Sequence, residues 1–159
     1  MSRWWGPDFE FSTSFTLEAP REQVHGVLVD LEHYSEWWPQ VRAVAKIDDD
    51  HAYVVSRSAL PYDLDLVLTA RSRELDVLEV GIDGPIRGTA RFGLRSLSEQ
   101  VTDVRFEQRV RAVAPAFVVA SYVAKPVLVW NHQRMMQGLQ QGLRTRFEPV
   151  QPSAAIAAS

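Results

Sequence analysis

The spacing of hydrophobic residues changes along the chain, and each change marks an element. Phe9, Phe11, Phe15 and Leu17 alternate with Glu10, Ser12 and Ser14, the period of two that a half-buried strand shows. Pro20 then suits the first turn of a helix, where its missing N–H is not needed. Val24, Val27, Leu28 and Leu31 follow at helical spacing, predicting an amphipathic helix over 20–31. A short second helix or turn carries 33–38. It stops at Pro39, because the residue before a proline avoids the helical region. From Val41 the period is two again. Val41, Ala43, Ala45 and Ile47 form one row, and 52–58 reads as a strand with an unassigned face. After a break at Leu60-Pro61, the rows Leu64-Leu66-Leu68-Ala70, Leu78-Val80-Ile82, Ala90-Phe92-Leu94 and Val104-Phe106-Gln108-Val110 follow. The acidic triplet 48–50 and Asp83-Gly84-Pro85 are turns. Short links between successive strands predict antiparallel hairpins, apolar on one face and charged on the other.

The last element organises the rest. Residues 127–147 predict one helix of about 30 Å. Leu128, Val129, Met135, Met136, Leu139, Leu143 and Phe147 share a stripe with His132, while Trp130, Gln133, Arg134, Gln137, Gln141 and Arg144 lie opposite. Before it, 113–126 holds an apolar run bracketed by Pro115 and Pro126; it predicts a helical or irregular approach that joins or kinks into the main helix. All helices must cover the one apolar face of the sheet. A sheet of about seven strands curls, and a helix in its concave side leaves a space where small molecules bind.

Composition narrows the class. The chain has 159 residues, which favours a single domain, taken as 1–148, with the small, Pro-rich stretch 149–159 as a loose tail. With no cysteine, disulfides, thiolate catalysis and Cys-based zinc sites are excluded. The net charge is −3 and no basic block is present, so nucleic acid is not an expected partner. No run approaches the ~20 apolar residues of a membrane span. The first residues, MSRWWGPDFEF, do not read as a signal peptide, so the expected compartment is the cytoplasm.

The segment FTLEAPREQVHGVLVDLEHYSEWWPQVRAV resembles the opening of the START-like (SRPBCC) superfamily, the helix-grip group of polyketide cyclase/dehydrase-like and lipid-transfer proteins. The matching positions are Ala19, Pro20, Val24, Asp30, Tyr34, Trp37 or Trp38, Pro39 and Val41. With the strand count and closing helix, the resemblance covers roughly 9–148. It implies an α+β, START/Bet v 1-like fold: a curved antiparallel sheet wrapped on a long C-terminal helix, in the order β-α-α-β6-α. Relatives include carriers of hydrophobic ligands, aromatase/cyclases, and proteins that bind partners or quinones. The resemblance carries no family-wide catalytic motif and calls for no cofactor.

Candidate chemistry centres on His132. A cavity-facing imidazole among methionines and leucines is desolvated, which lowers its pKa, and it suits general acid/base work on a ketone. The plainer reading is a core histidine satisfied by Tyr53, Gln108 or a backbone carbonyl. Gln108 is the polar exception on an inward row. Trp37, Trp38, Tyr53, Phe92, Gln108, Leu128, Met135, Met136 and Leu139 are the expected ligand-contacting residues, against core packing for most of them. Trp37 and Trp38 flank the mouth if the short helix forms its rim, one closing the core and the other available to stack on a ring. Trp130, with Trp4 and Trp5, either tucks under the N-terminal segment or forms a homodimer surface. Gly138 and Gly142 lower helix stability and imply a close approach to another segment. His25, His33, His51 and His132 are scattered, without metal-ligand spacing. The row Arg105, Glu107, Arg109, Arg111 suits weak ion pairs on the wet face. Three functions fit. The first is binding of a hydrophobic small molecule, such as a lipid, polyketide or aromatic compound. The second is a cyclase or dehydratase in which His132 moves the proton and Gln108 or Tyr53 orients a carbonyl. The third is an interaction module with a filled interior.

Overall fold

A computed structural model describes residues 7–57 and 63–147. The Leu60-Pro61 break, Trp4, Trp5 and the 149–159 tail lie outside the described residues. The first alternating run is strand β1 (Asp8–Leu17), with Phe9, Phe15 and Leu17 buried as its period requires. Helix α1 (Arg21–Val29) follows and buries Val24 and Leu28. A 3-10 turn (Leu31–Glu36) comes next. Then come β2 (Val41–Lys46), β3 (His51–Arg57), β4 (Asp63–Arg73), β5 (Val77–Asp83), β6 (Ile86–Ser98) and β7 (Val101–Ala112). The seven strands form one sheet in the order β1-β7-β6-β5-β4-β3-β2. Every neighbouring pair is antiparallel, as short hairpin links dictate. This is the curved sheet and closing helix that the alternation and the final stripe predict.

The chain differs from the expectation at two places. A register shift between Val41 and Ala43 puts a β-bulge in β2. One extra residue reverses which side chains face inward. Val41 is buried, but Val44 then packs inward instead of Ala43 or Ala45, and Ile47 is 58% exposed. Second, the approach over 113–126 is the helical one of the two expected forms, but it stands as a separate helix, α2 (Pro115–Val123). Its backbone breaks at Ala124 before α3 (Lys125–Phe147). Pro126 therefore sits in the first turn of α3, where it costs no hydrogen bond, and does not kink it.

One core cluster joins α1, the 3-10 turn, the sheet and α3 through Leu17, Val24, Leu28, Val104, Leu139 and Leu143. A smaller one joins Phe9, Ile82, Val110 and Ala112 to Phe117, Val118 and Leu128 beneath the α2–α3 junction. Outside that junction, Val119, Tyr122, Val123, Val127 and Trp130 remain exposed, with the Arg134 guanidinium over the Trp130 ring. No helix among the described residues is long and apolar enough to cross a membrane.

The end of α1 is tied down by Tyr34, whose buried hydroxyl donates to the Leu28 carbonyl, one of the acceptors a helix C-terminus leaves open. Burial pushes the phenol well above its ordinary pKa, so it stays a neutral donor. Tyr34→Phe is expected to cost about 1–2 kcal/mol, read by urea unfolding. An unchanged midpoint would show that the helix end does not need this partner.

Candidate functional site

Helix α3 crosses the concave side of the sheet, and α1 with the 3-10 turn closes one flank. The curl leaves a cavity of about 420 Å³, within the ~300–1,000 Å³ range of small-molecule sites. Its inner wall is the inward row of each strand from β2 to β7: Val41, Val54, Leu66, Leu68, Leu78, Val80, Ile82, Ala90, Phe92 and Phe106. Leu28, Tyr34 and Trp38 come from the helical flank and Met135 from α3. The mouth lies between the 3-10 turn and the β2–β3 turn and is polar, with Asp30, Glu32, Lys46, Asp48, Asp49, Asp50, His51 and Arg73.

Besides Glu79 on β5, which also lines the cavity, few polar groups reach the interior. Gln108 on β7 lines it, and its Oε1 accepts from His132 Nε2 at 2.9 Å. Ser56 on β3 also lines it. Ser56 is 4% exposed, and its Oγ has no hydrogen-bond partner among the described residues. The Ser72 hydroxyl is already spent on the Val77 carbonyl at 2.7 Å. The mouth is a set of pairs: Lys46 with Asp49 at 3.3 Å and Arg73 with Asp50 at 3.1 Å. Asp48 turns its carboxylate back on the His51 imidazole and on the backbone N–H groups of Asp50 and His51. Those bonds, the imidazole first, hold its pKa below the usual carboxylate range. Among the described residues no three His, Asp or Glu side chains converge as a metal site.

His132 stands behind Gln108. Its ring stacks on Phe11 with centroids 3.5 Å apart and planes 7° apart. Burial lowers its pKa to about 4, so near neutrality the imidazole is uncharged, and it donates its proton to Gln108. Its hydrogen-bond partner is the cavity amide, one of the three partners that the plainer reading names.

Four of the predicted contact residues meet around the cavity: Trp38, Phe92, Gln108 and Met135. Trp38 is fixed by donating Nε1–H to the Met135 carbonyl at 3.1 Å. The others do not line it. Trp37 stacks on Trp38 with centroids 5.9 Å apart and fills the core beside Tyr34. Met136 and Leu139 are core residues at 4% and 0% exposure. Leu128 packs in the smaller cluster. Tyr53 lies on the outer face of β3, 38% exposed, bonded to Asp65, which raises its pKa. It stands opposite in parity to Val54 and Ser56, so it partners neither His132 nor the cavity. Ser56 is a polar cavity residue that the sequence pattern did not single out.

No protein-family model and no curated protein matches the chain. Solved structures do. A START superfamily protein from Mycobacterium smegmatis superposes with a TM-score of 0.70 at 14% identity, over 86% of this chain and 95% of that one. The fold is START-like. The same START-like fold is shared with the Zhui aromatase/cyclase of a Streptomyces species, with a TM-score of 0.71 at 12% identity, over 87% of this chain and 93% of that one. A Thermus thermophilus protein matches with a TM-score of 0.70 at 15% identity, over 88% of this chain and all 100% of that one.

Proposed function

We propose that this START-like domain binds one hydrophobic small molecule in the cavity between its sheet and α3. The carrying observation is the cavity itself, about 420 Å³ with an apolar wall and an orphan hydroxyl at Ser56. A buried hydroxyl without a partner costs about 1–3 kcal/mol; a ligand or a water that bonds it offsets that cost. Binding is favoured over a His132-driven cyclase because Gln108 stands between the imidazole and the cavity, and burial leaves the imidazole a weak base. Among the ionisable groups that line the cavity, Tyr34 donates to Leu28 and has a raised pKa. The likeness to an aromatase/cyclase supports an aromatic or polyketide-sized ligand.

The test is uptake of the neutral fluorophore N-phenyl-1-naphthylamine. Wild type is expected to enhance its emission with one site per chain. Ala90→Phe, which fills the cavity from β6, is expected to abolish the enhancement while leaving the circular dichroism unchanged. Equal enhancement by both proteins, or none by wild type, would overturn the reading.

A further inference from the structure

Two hydrogen-bonding groups line the cavity from strands well apart in the sheet, and their state restricts what fits between them. Gln108 is on β7 and Ser56 on β3, four strand spacings apart in the sheet. At ~4.8 Å per spacing that is about 19 Å along the curve, and less straight across the concave side. The two groups are set differently. His132 Nε2 occupies the Gln108 Oε1, because a neutral imidazole with its Nε2 protonated donates and a carboxamide oxygen accepts. The amide is thereby turned so that its Nε2, a donor only, is left for the cavity. His132 is in turn held flat against Phe11, so this orientation is built in. The Ser56 hydroxyl can donate or accept, and no described residue uses it.

The same walls hold no charge for an anion. The Lys and Arg side chains that line the cavity are Lys46 and Arg73. Both sit at the mouth and are already paired with Asp49 and Asp50. A ligand carboxylate or phosphate would pass Asp30, Glu32 and Asp48 and meet no free positive group inside. Burying an unpaired charge there is far costlier than burying a paired one.

We infer that the cavity selects an uncharged, elongated ring compound with a carbonyl oxygen at the Gln108 end and a hydroxyl or second carbonyl at the Ser56 end, and discriminates against acids. His132 is a positioning residue in this scheme: it fixes the amide and does not touch the ligand. The inference rests on the cavity being the binding site, and the experiment separates the two.

The probes are 2,6-diacetylnaphthalene, 2,6-diethylnaphthalene and naphthalene-2,6-dicarboxylate, which share one bicyclic frame and carry their substituents at its two ends. Dissociation constants are measured by fluorescence quenching at neutral pH. Wild type is expected to bind the diketone about tenfold tighter than the hydrocarbon, the size of effect one buried hydrogen bond gives, and to bind the dicarboxylate weakest. Ser56→Ala and Gln108→Leu are each expected to lower the ratio of diketone to hydrocarbon affinity. Ser56→Ala removes an atom that bonds none of the described residues, so it keeps the test sound if Gln108→Leu fails to fold. His132→Phe, which frees the amide to turn, is expected to lower the same ratio. Equal binding of the diketone and the hydrocarbon by wild type, or tightest binding of the dicarboxylate, would overturn this inference and leave the cavity reading standing. No binding of any of the three would count against the cavity reading as well.

Discussion

Lowering the pH from 7 to 5 is expected to cost the fold about 2 kcal/mol through His132 alone. The imidazole is buried on α3 against Phe11, and desolvation lowers its pKa to about 4. In the unfolded chain the same group titrates near ~6.5. Between those values the unfolded state holds the proton and the folded state does not, so stability falls as pH falls through this window. Above ~6.5 neither state is protonated and the contribution of the neutral ring is complete. Below about 4 both are protonated and the loss levels off near ~3 kcal/mol. His33 runs the other way, since its bond to Asp30 raises its pKa, but that pair is exposed and screened. His132→Phe isolates the effect. It keeps an aromatic ring on Phe11, and the pH-independent cost of leaving Gln108 without its donor cancels when slopes are compared. Urea unfolding at pH 7 and pH 5 is expected to show a shallower loss in the variant. Parallel losses in the two proteins would mean that His132 is not buried as an uncharged group.

The sequence is most legible where a single period holds over a whole element. The β7 row of Val104, Phe106, Gln108 and Val110 alternates without a break, and all four turn inward as read. The α3 stripe holds as well, with His132, Met136, Leu139 and Leu143 buried. Legibility fails where one residue changes the count. In β2, Val44 stands between Arg42 and Lys46, so the row Val41-Ala43-Ala45 reads as the inward one and nothing in the composition marks the bulge after Val41. In β3, Tyr53 and Val55 compete with Val54 and Ser56 for the inner face, which hid both the outward turn of Tyr53 and the unpartnered Ser56. His132 shows a different limit. A helical stripe gives the direction of a side chain but not what stands in front of it. That Gln108 intervenes depends on how deeply α3 sits in the curl of the sheet, which is a property of the packed layers.

Gly142→Ala is expected to destabilise the domain by about 2 kcal/mol or more, against the gain of about 1 kcal/mol that the same exchange gives in an open helix interior. The glycine stands where α3 crosses the segment after the 3-10 turn, and a Cβ there would overlap the backbone carbonyl oxygen of Trp37. A backbone carbonyl cannot swing aside. Either α3 lifts off or the turn moves, and Trp37 and Trp38 are both buried in that contact. Gly138 provides the comparison. A Cβ there meets the Gln40 side chain, whose bond to the Arg134 carbonyl is long at 3.4 Å. That side chain can turn out to solvent, so Gly138→Ala is expected to cost much less. The difference between the two variants, read by urea unfolding, measures the close approach itself. Equal effects would mean that helix propensity governs both sites and that the crossing is looser than described. The crossing also sets the cavity, because Trp38 donates to the Met135 carbonyl at 3.1 Å and both residues line it. Lifting α3 at Gly142 would separate that pair. Gly142→Ala is therefore expected to weaken ligand retention even at temperatures where the variant remains folded, and Gly138→Ala to leave retention unchanged.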